Sequence, residues 1–290
     1  EKCPLERFKE DSQKTGVEVG NHLRAQVHEA IESLGNAFLQ KNPSLHSQLQ
    51  GNEDACAAYY GEILHLIYRL LFLFFVEQRG WIPSEARVYW DSYSVSGLRD
   101  RALDPYAARD EHCDLWEGLK LTFGMVRNGI TIEGKSLPAY GGQLFNEDRI
   151  STLLQSECAN KDLLNAIRLL SYFEHKRVPQ RINYGRLEID ALGSVYESLL
   201  EFTPRVLDAD EEIEGHPRPK GEFVLDRRSV ARKTTGSYYT DKRLVNELIK
   251  SALLPVIEDR LGTTDDTCQC TGGRASPRAE SPQAARPDTR

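Results

Sequence analysis

The stretch ILHLIYRLLFLFFV, Ile63 to Val76, decides how the chain is read. It is apolar nearly all round a helix, with His65 and Arg69 as its main polar interruptions. A bilayer span needs about 20 consecutive apolar residues, and these fourteen fall short. The stretch is therefore read as the buried centre of a longer helix, from about Ala55 to Arg79, which other helices surround. Gly80 follows as a good C-terminal cap.

Helical periodicity continues on both sides. Leu23, Val27, Ile31, Leu34 and Phe38 recur every three or four residues and lay one apolar stripe along a helix. Asn42-Pro43 ends it, because the residue before proline is pushed out of the helical region. Leu115, Leu119, Phe123 and Val126 mark another helix, closed by Asn128-Gly129. The Gly- and Pro-rich segment 129–148 reads as a loop carrying a hairpin. Helices are expected again at Ser151–Glu157 and at Lys161–Phe173, the second capped by Asn160. A last one spans about Ile189 to Phe202.

The expectation is a mainly α fold, a multi-helix bundle with a short β-hairpin or strand-helix element near the C-terminus. The bundle occupies 1–206, an acidic and Pro-rich linker loop 207–220, a second folded segment 221–261, and a tail 262–290. No internal repeat is present. At 290 residues the chain can bury one large core or two modest ones.

A net charge of −7 argues against uniform coating of nucleic acid, so any polyanion contact must be local. The charge is unevenly spread. Residues 186–214 hold nine acidic and two basic side chains, whereas 218–243 hold eight basic and three acidic ones. The acidic run reads as a solvated loop. The basic run is either a solvated hairpin or an anion-contacting patch. Six cysteines are too dispersed for a disulfide framework, and Cys268 with Cys270 lacks the further ligands that zinc requires, so no metal is expected. The reading is a cytoplasmic chain without a membrane segment.

The junction RKTTGSYYTDKRLV, Arg232 to Val245, sits in the basic run. Asp241 is placed as N-cap of a helix Leu244–Leu254 whose expected buried face is Leu244, Val245, Leu248, Ile249 and Ala252; Pro255 kinks or restarts that helix. A glycine turn, an extended Tyr-Tyr-Thr and a helix N-terminus together suit a carboxylate or phosphate. They equally suit an ordinary strand-turn-helix with a polar cap. The junction resembles the (R/K)-x-x-(S/T)-G-(S/A)-(F/Y)-Y-T-P segment that precedes the catalytic fold in type IIG-like restriction–modification methylases acting on the exocyclic amine of adenine. The upstream stretches LGSVYESLLEFTPRV, IYRLLFLFFVEQRGW and VHEAIESLGNAFL look like the helical region of the same enzymes. The likeness covers about residues 5–261.

That resemblance implies a helical spacer followed, at 221–261, by the start of a methyltransferase domain. It implies that Gly236, Ser237, Tyr238, Tyr239 and Thr240 form one wall of an S-adenosylmethionine pocket in the full-length parent, with Thr240 near the methionine carboxylate. Asp241 departs from the family's proline and sets a negative charge beside that carboxylate. The glycine-rich D-P-A-C-G-S-G-like turn and the N-P-P-Y-like tetrapeptide that orients a flipped base do not occur in these 290 residues. No catalytic residue is therefore assigned, and residues from Gly262 read either as a departure from the family's reading frame or as a flexible linker. Glu133-Gly134-Lys135 with Asp114 formally fits a D…(D/E)-x-K nuclease pattern, yet Gly-flanked charges in a loop are ordinarily just solvated. Double-stranded DNA is the expected partner, held weakly and salt-dependently through Arg227, Arg228, Arg232 and Lys233, alongside protein partners of a defence system. The alternative is a helical adaptor that binds another protein.

Overall fold

A computed structural model describes residues 4–106, 109–132, 135–140, 142–175, 178–186, 193, 199, 202–227 and 242–261. For 4–22, 132, 135, 174–175, 227 and 242–243 it describes the backbone alone. The chain is mainly α, with small antiparallel strand pairs. It divides into two units, Glu1–Ser237 and Tyr238–Arg290.

The first unit is built around the helix that holds Ile63–Val76. This helix, α3 (Glu53–Gln78), is long and apolar enough to cross a membrane, but 67% of its most apolar window is packed inside the fold. Asn52 caps its start by accepting the Ala55 N–H at 3.0 Å. At its end Gly80 adopts φ +67°, and the amides of Gly80 and Trp81 reach back to the carbonyls of Glu77 and Val76. That double closure needs a left-handed residue, which glycine supplies without strain. Arg69, the charge inside the apolar stretch, is fully buried and donates to the carbonyls of Leu144 and Asn146 at 2.8 and 2.7 Å. Its guanidinium lies over the rings of Phe123 and Phe145, and burial lowers its pKa to about 10. The arginine thus pins the 143–146 loop to the core.

Helix α1 (Pro4–Lys41) buries Leu23, Val27, Ile31, Leu34 and Phe38, the stripe anticipated from the sequence. Asn42 interrupts it, and Pro43 opens the short α2 (Pro43–Leu49) at a position where a missing N–H costs nothing. Then come α4 (Arg87–Ser92), α5 (Val95–Arg101), α6 (Asp114–Asn128), α7 (Ser151–Leu154) and α8 (Asn160–Ser171). Helix α8 packs along α1 and also meets α5 and α6. Trp116 of α6 is buried there, edge-on to Phe38 at 5.2 Å.

Several expectations change. Asn160 does not cap α8; Ala159 holds that place. The Asn160 amide instead accepts the Leu115 N–H at 3.0 Å and donates to Asp110 and Asp114 at 2.9 and 2.8 Å, tying α8 to the start of α6. Helix α8 stops at Ser171 because Tyr172–His175 (β3) pairs with Val178–Arg181 (β4). The 129–148 loop does carry a hairpin, Ile130–Ile132 (β1) with Lys135–Leu137 (β2). The helix expected over 189–202 lies largely outside the described residues, although Gly193 and Leu199 are helical.

The largest correction concerns 207–220. In place of a linker loop, Phe202–Val206 (β5) pairs with Phe223–Arg227 (β8), and Glu211–Ile213 (β6) with His216–Arg218 (β7) between them. Glu214 and Gly215, at φ +50° and +79°, form the tight turn, the backbone signature of a two-residue hairpin whose twist matches its strands. The acidic run folds because its charges are answered: Arg205 engages both carboxylate oxygens of Glu211 at 2.8 Å and pairs with Asp226. The hairpin belongs to the first unit, so the boundary falls near residue 237, beyond both 206 and 220.

The second unit is described over one helical run: α9 (Lys242–Leu248), a π-turn (Ile249–Leu253) and α10 (Leu254–Leu261). Pro255 has no N–H for the Ser251 carbonyl and its ring crowds it, which accounts for the wider turn in front of it. The expected buried face is a second correction. Leu244, Val245, Leu248, Ile249 and Ala252 are all exposed, because this unit supplies no other described element to cover them.

Candidate functional site

The residues singled out for the cofactor, Gly236, Ser237, Tyr238, Tyr239 and Thr240, lie outside the described residues, as do Arg228, Arg232 and Lys233 and the cap Asp241. Arg227 ends β8, and only its backbone is described. In the nuclease-like string, Glu133 and Gly134 also lie outside them; Asp114 is committed to Asn160. Among the described residues no group of three or more His, Cys, Asp or Glu could hold a metal ion.

What the structure does bring together is the ground just upstream of the junction. Strand β8 is docked on α1 by two side chains one helical turn apart. Glu32 accepts the Leu225 N–H at 2.9 Å, and Asn36 accepts the Phe223 N–H at 2.8 Å while donating to the Phe223 carbonyl at 2.9 Å. Four helical residues rise about 6 Å and two strand residues about 6.8 Å, so an i, i+4 pair on a helix matches alternate amides along a strand edge. Gly35, between them in the helix, leaves room for the Phe223 ring: a Cβ there would stand 2.5 Å from Cδ1 of Phe223.

Between α1, α2 and the β7–β8 turn lies an open groove of about 660 Å³, lined by Gln40, His46, His216, Arg218 and Lys220 among others. Its floor is set by His46, whose Nε2–H donates to the Gly221 carbonyl at 2.8 Å. Gly221 has φ +85°, and a Cβ on it would meet the imidazole at 3.1 Å, so the turn requires glycine twice over. Arg218 is spent: it donates to Glu222 at 2.6 Å and to Glu32 at 3.1 Å, and these carboxylates hold its guanidinium in the charged form against partial burial. The Lys220 ammonium and the His216 ring have no hydrogen-bond partner among the described residues. The groove can therefore hold an anionic group through Lys220, His216 and exposed turn backbone. It contains no nucleophile paired with a base.

Two further polar clusters belong to the fold. Glu77 is buried and accepts from Tyr89 Oη, Val95 N and Ser96 N at 2.6, 2.8 and 2.9 Å; burial raises its pKa despite those bonds. Asp110 accepts from Asn160 and contacts His112 Nδ1 at 2.8 Å, and those two bonds hold its carboxyl below the ordinary value. Cys113 beside it is pushed up by desolvation, the opposite of an activated thiol. Sequence reasoning missed Glu32, Asn36, His46 and Gly221. Only the Lys220-Gly221 pair carries a local turn signal; Asn36 and Phe223 are separated by 187 residues.

Comparison of the chain with protein-family models, with curated proteins and with solved structures finds no match.

Proposed function

We propose that this chain is the helical spacer and first cofactor-pocket element of a site-specific N6-adenine DNA methyltransferase, part of a cytoplasmic restriction–modification or phage-defence system. The observation that carries the reading is the stretch RKTTGSYYTDKRLV, with its G-S-Y-Y-T core. Two structural facts are consistent with it. The region upstream is a mainly helical unit, as a spacer requires, and the division between the two units falls inside G-S-Y-Y-T. The donor set for S-adenosylmethionine is nonetheless incomplete in these residues. A helix N-terminus and the Thr240 hydroxyl suit its carboxylate, but Asp241 opposes it and the glycine-rich turn is missing. No methyl-transfer step is assigned to this chain.

Its role in the reading is to contact the DNA backbone. The basic run from Arg227 onward supplies the charge, and Lys220 with His216 in the groove offers a separate place for a phosphate. Gel retardation of duplex DNA tests this. Retention should fall steeply with salt, the slope shrinking by about one for each phosphate contact removed, and Arg232→Ala with Lys233→Ala should abolish it. Labelled-methyl transfer from S-adenosylmethionine to adenine-containing DNA should stay at background, and turnover by the purified chain would overturn the reading. Capture of a protein partner with no effect on DNA would favour the adaptor instead, although the long apolar helix such an adaptor could have offered is buried in the core of the fold.

A further inference from the structure

Asn128-Gly129 is the one Asn-Gly pair in the chain, and it falls where helix α6 ends. In such a pair the main-chain nitrogen of the glycine can attack the side-chain carbonyl of the asparagine, because no Cβ on the second residue stands in the way. Folded proteins ordinarily block this by tying the asparagine side chain, or the following N–H, into hydrogen bonds.

Most described asparagines are tied in that way. Asn36 bonds the Phe223 backbone, Asn42 the Glu157 backbone, Asn160 both Asp110 and Asp114, and Asn165 the Ser33 hydroxyl. Asn52 and Asn146 accept the amides of Ala55 and Asp148. Asn183 and Asn246 have no such bond among the described residues, but Tyr184 and Glu247 follow them and hinder the approach. Asn128 lacks both protections. Its side chain is exposed and bonds nothing among the described residues. The Gly129 N–H finds no described acceptor either, and with φ +70° the glycine has already left the helix. Asn128 itself is the last residue of α6, where helices fray.

We infer that Asn128 is a site of self-modification, converted through a cyclic imide to aspartate and isoaspartate. The Gly129 nitrogen bonds to Cγ of Asn128, the Cγ–Nδ2 bond breaks, and ammonia leaves with the proton that the Gly129 amide gives up. Water then opens the imide at either carbonyl. Both products set a negative charge at the C-terminal end of α6, where the helix dipole opposes it. Isoaspartate also adds a methylene to the main chain at a joint without slack: a Cβ on Gly129 would stand 3.0 Å from the Leu137 carbonyl oxygen and 3.0 Å from Ala139 N. The change should loosen the β1–β2 hairpin from α6, to which the Tyr140 N–H fastens its far end through the Val126 carbonyl at 2.9 Å. No residue of the methyltransferase reading takes part.

The test incubates the folded chain at mildly alkaline pH beside a urea-unfolded sample, until the peptide spanning Asn128-Gly129 has converted in the unfolded one. Mass spectrometry of the digested folded chain should then show that peptide carrying the small mass gain of amide replaced by carboxyl, in two chromatographic forms. Hydroxylamine, which attacks the imide, should cut the folded chain between Asn128 and Gly129. Asn128→Gln, whose longer side chain would have to close a larger ring, should lose both signals over the same time. Hydrogen exchange at the Tyr140 amide should quicken in the converted chain. A spanning peptide unchanged in the folded chain would overturn the proposal, since the fold would then protect the site. So would conversion or cleavage that persists in Asn128→Gln.

Discussion

Gly35 and Phe223 show how much rests on single atoms. The ring of Phe223 packs edge-on to Tyr59 at 5.5 Å, and Tyr59 in turn donates its hydroxyl to the Gly35 carbonyl at 2.7 Å. One methyl group at position 35 would occupy space the ring already fills. Gly35→Ala should therefore cost about 1–3 kcal/mol in urea unfolding, the usual penalty of overpacking. The cost should shrink when Phe223→Leu is already present, since the two sites share one contact. Glu77 makes a different residue-scale prediction. Its pKa is raised from the ordinary 4.5 by burial, so the folded state holds its proton more tightly than the unfolded chain does. Its contribution is then fullest below pH 4.5 and is lost as pH rises through the raised value. Relative to wild type, Glu77→Gln should thus gain stability as pH rises from about 4 to 7, the reverse of a salt-bridged carboxylate. Unfolding midpoints of the two proteins across that range check the sign. Neither position was legible in the sequence: Gly35 read as one more residue inside a helix, and Glu77 as one polar residue near a helix end.

At the scale of elements, α1 and β8 meet by matched repeats. Strand β8 gives one edge to β5 and the other to Glu32 and Asn36, so its outward amides do not present an open edge to a second chain. Asn36→Ala should leave the Phe223 amide and carbonyl unpaired, at a cost of about 1–3 kcal/mol. Hydrogen exchange should show protection lost first at Phe223 and Leu225, with α3 amides unaffected. The periodicity that made α1, α3 and α6 readable comes from each helix burying one stripe or its whole circumference. The alternation over Glu222–Asp226 does mark β8, but the strands β3 to β7 were less legible because each is five residues or shorter, too short for alternation to stand out against charge. The acidic run looked like a loop because nine acids stand against two arginines over 186–214, and nothing in the sequence shows that Arg205 reaches Glu211 and Asp226 at once.

The whole molecule consists of one unit with a large apolar core and a second described over one helical run. Sequence alone determined the helical class, the central place of Ile63–Val76, the stop at Asn42-Pro43 and the glycine cap at Gly80. Each of these follows from local sterics or from the burial of one continuous stripe. Tertiary structure decided where the unit ends, that the 207–220 segment is a hairpin, that Arg218 is spent on Glu32 and Glu222, and that Asn160 serves α6 in place of α8. The Asn160–Leu115 bond, the Arg218–Glu32 pair and the Glu32–Leu225 bond join groups 45, 186 and 193 residues apart, and hydrogen-bonding groups choose the partner the fold brings within reach over the one adjacent in the chain.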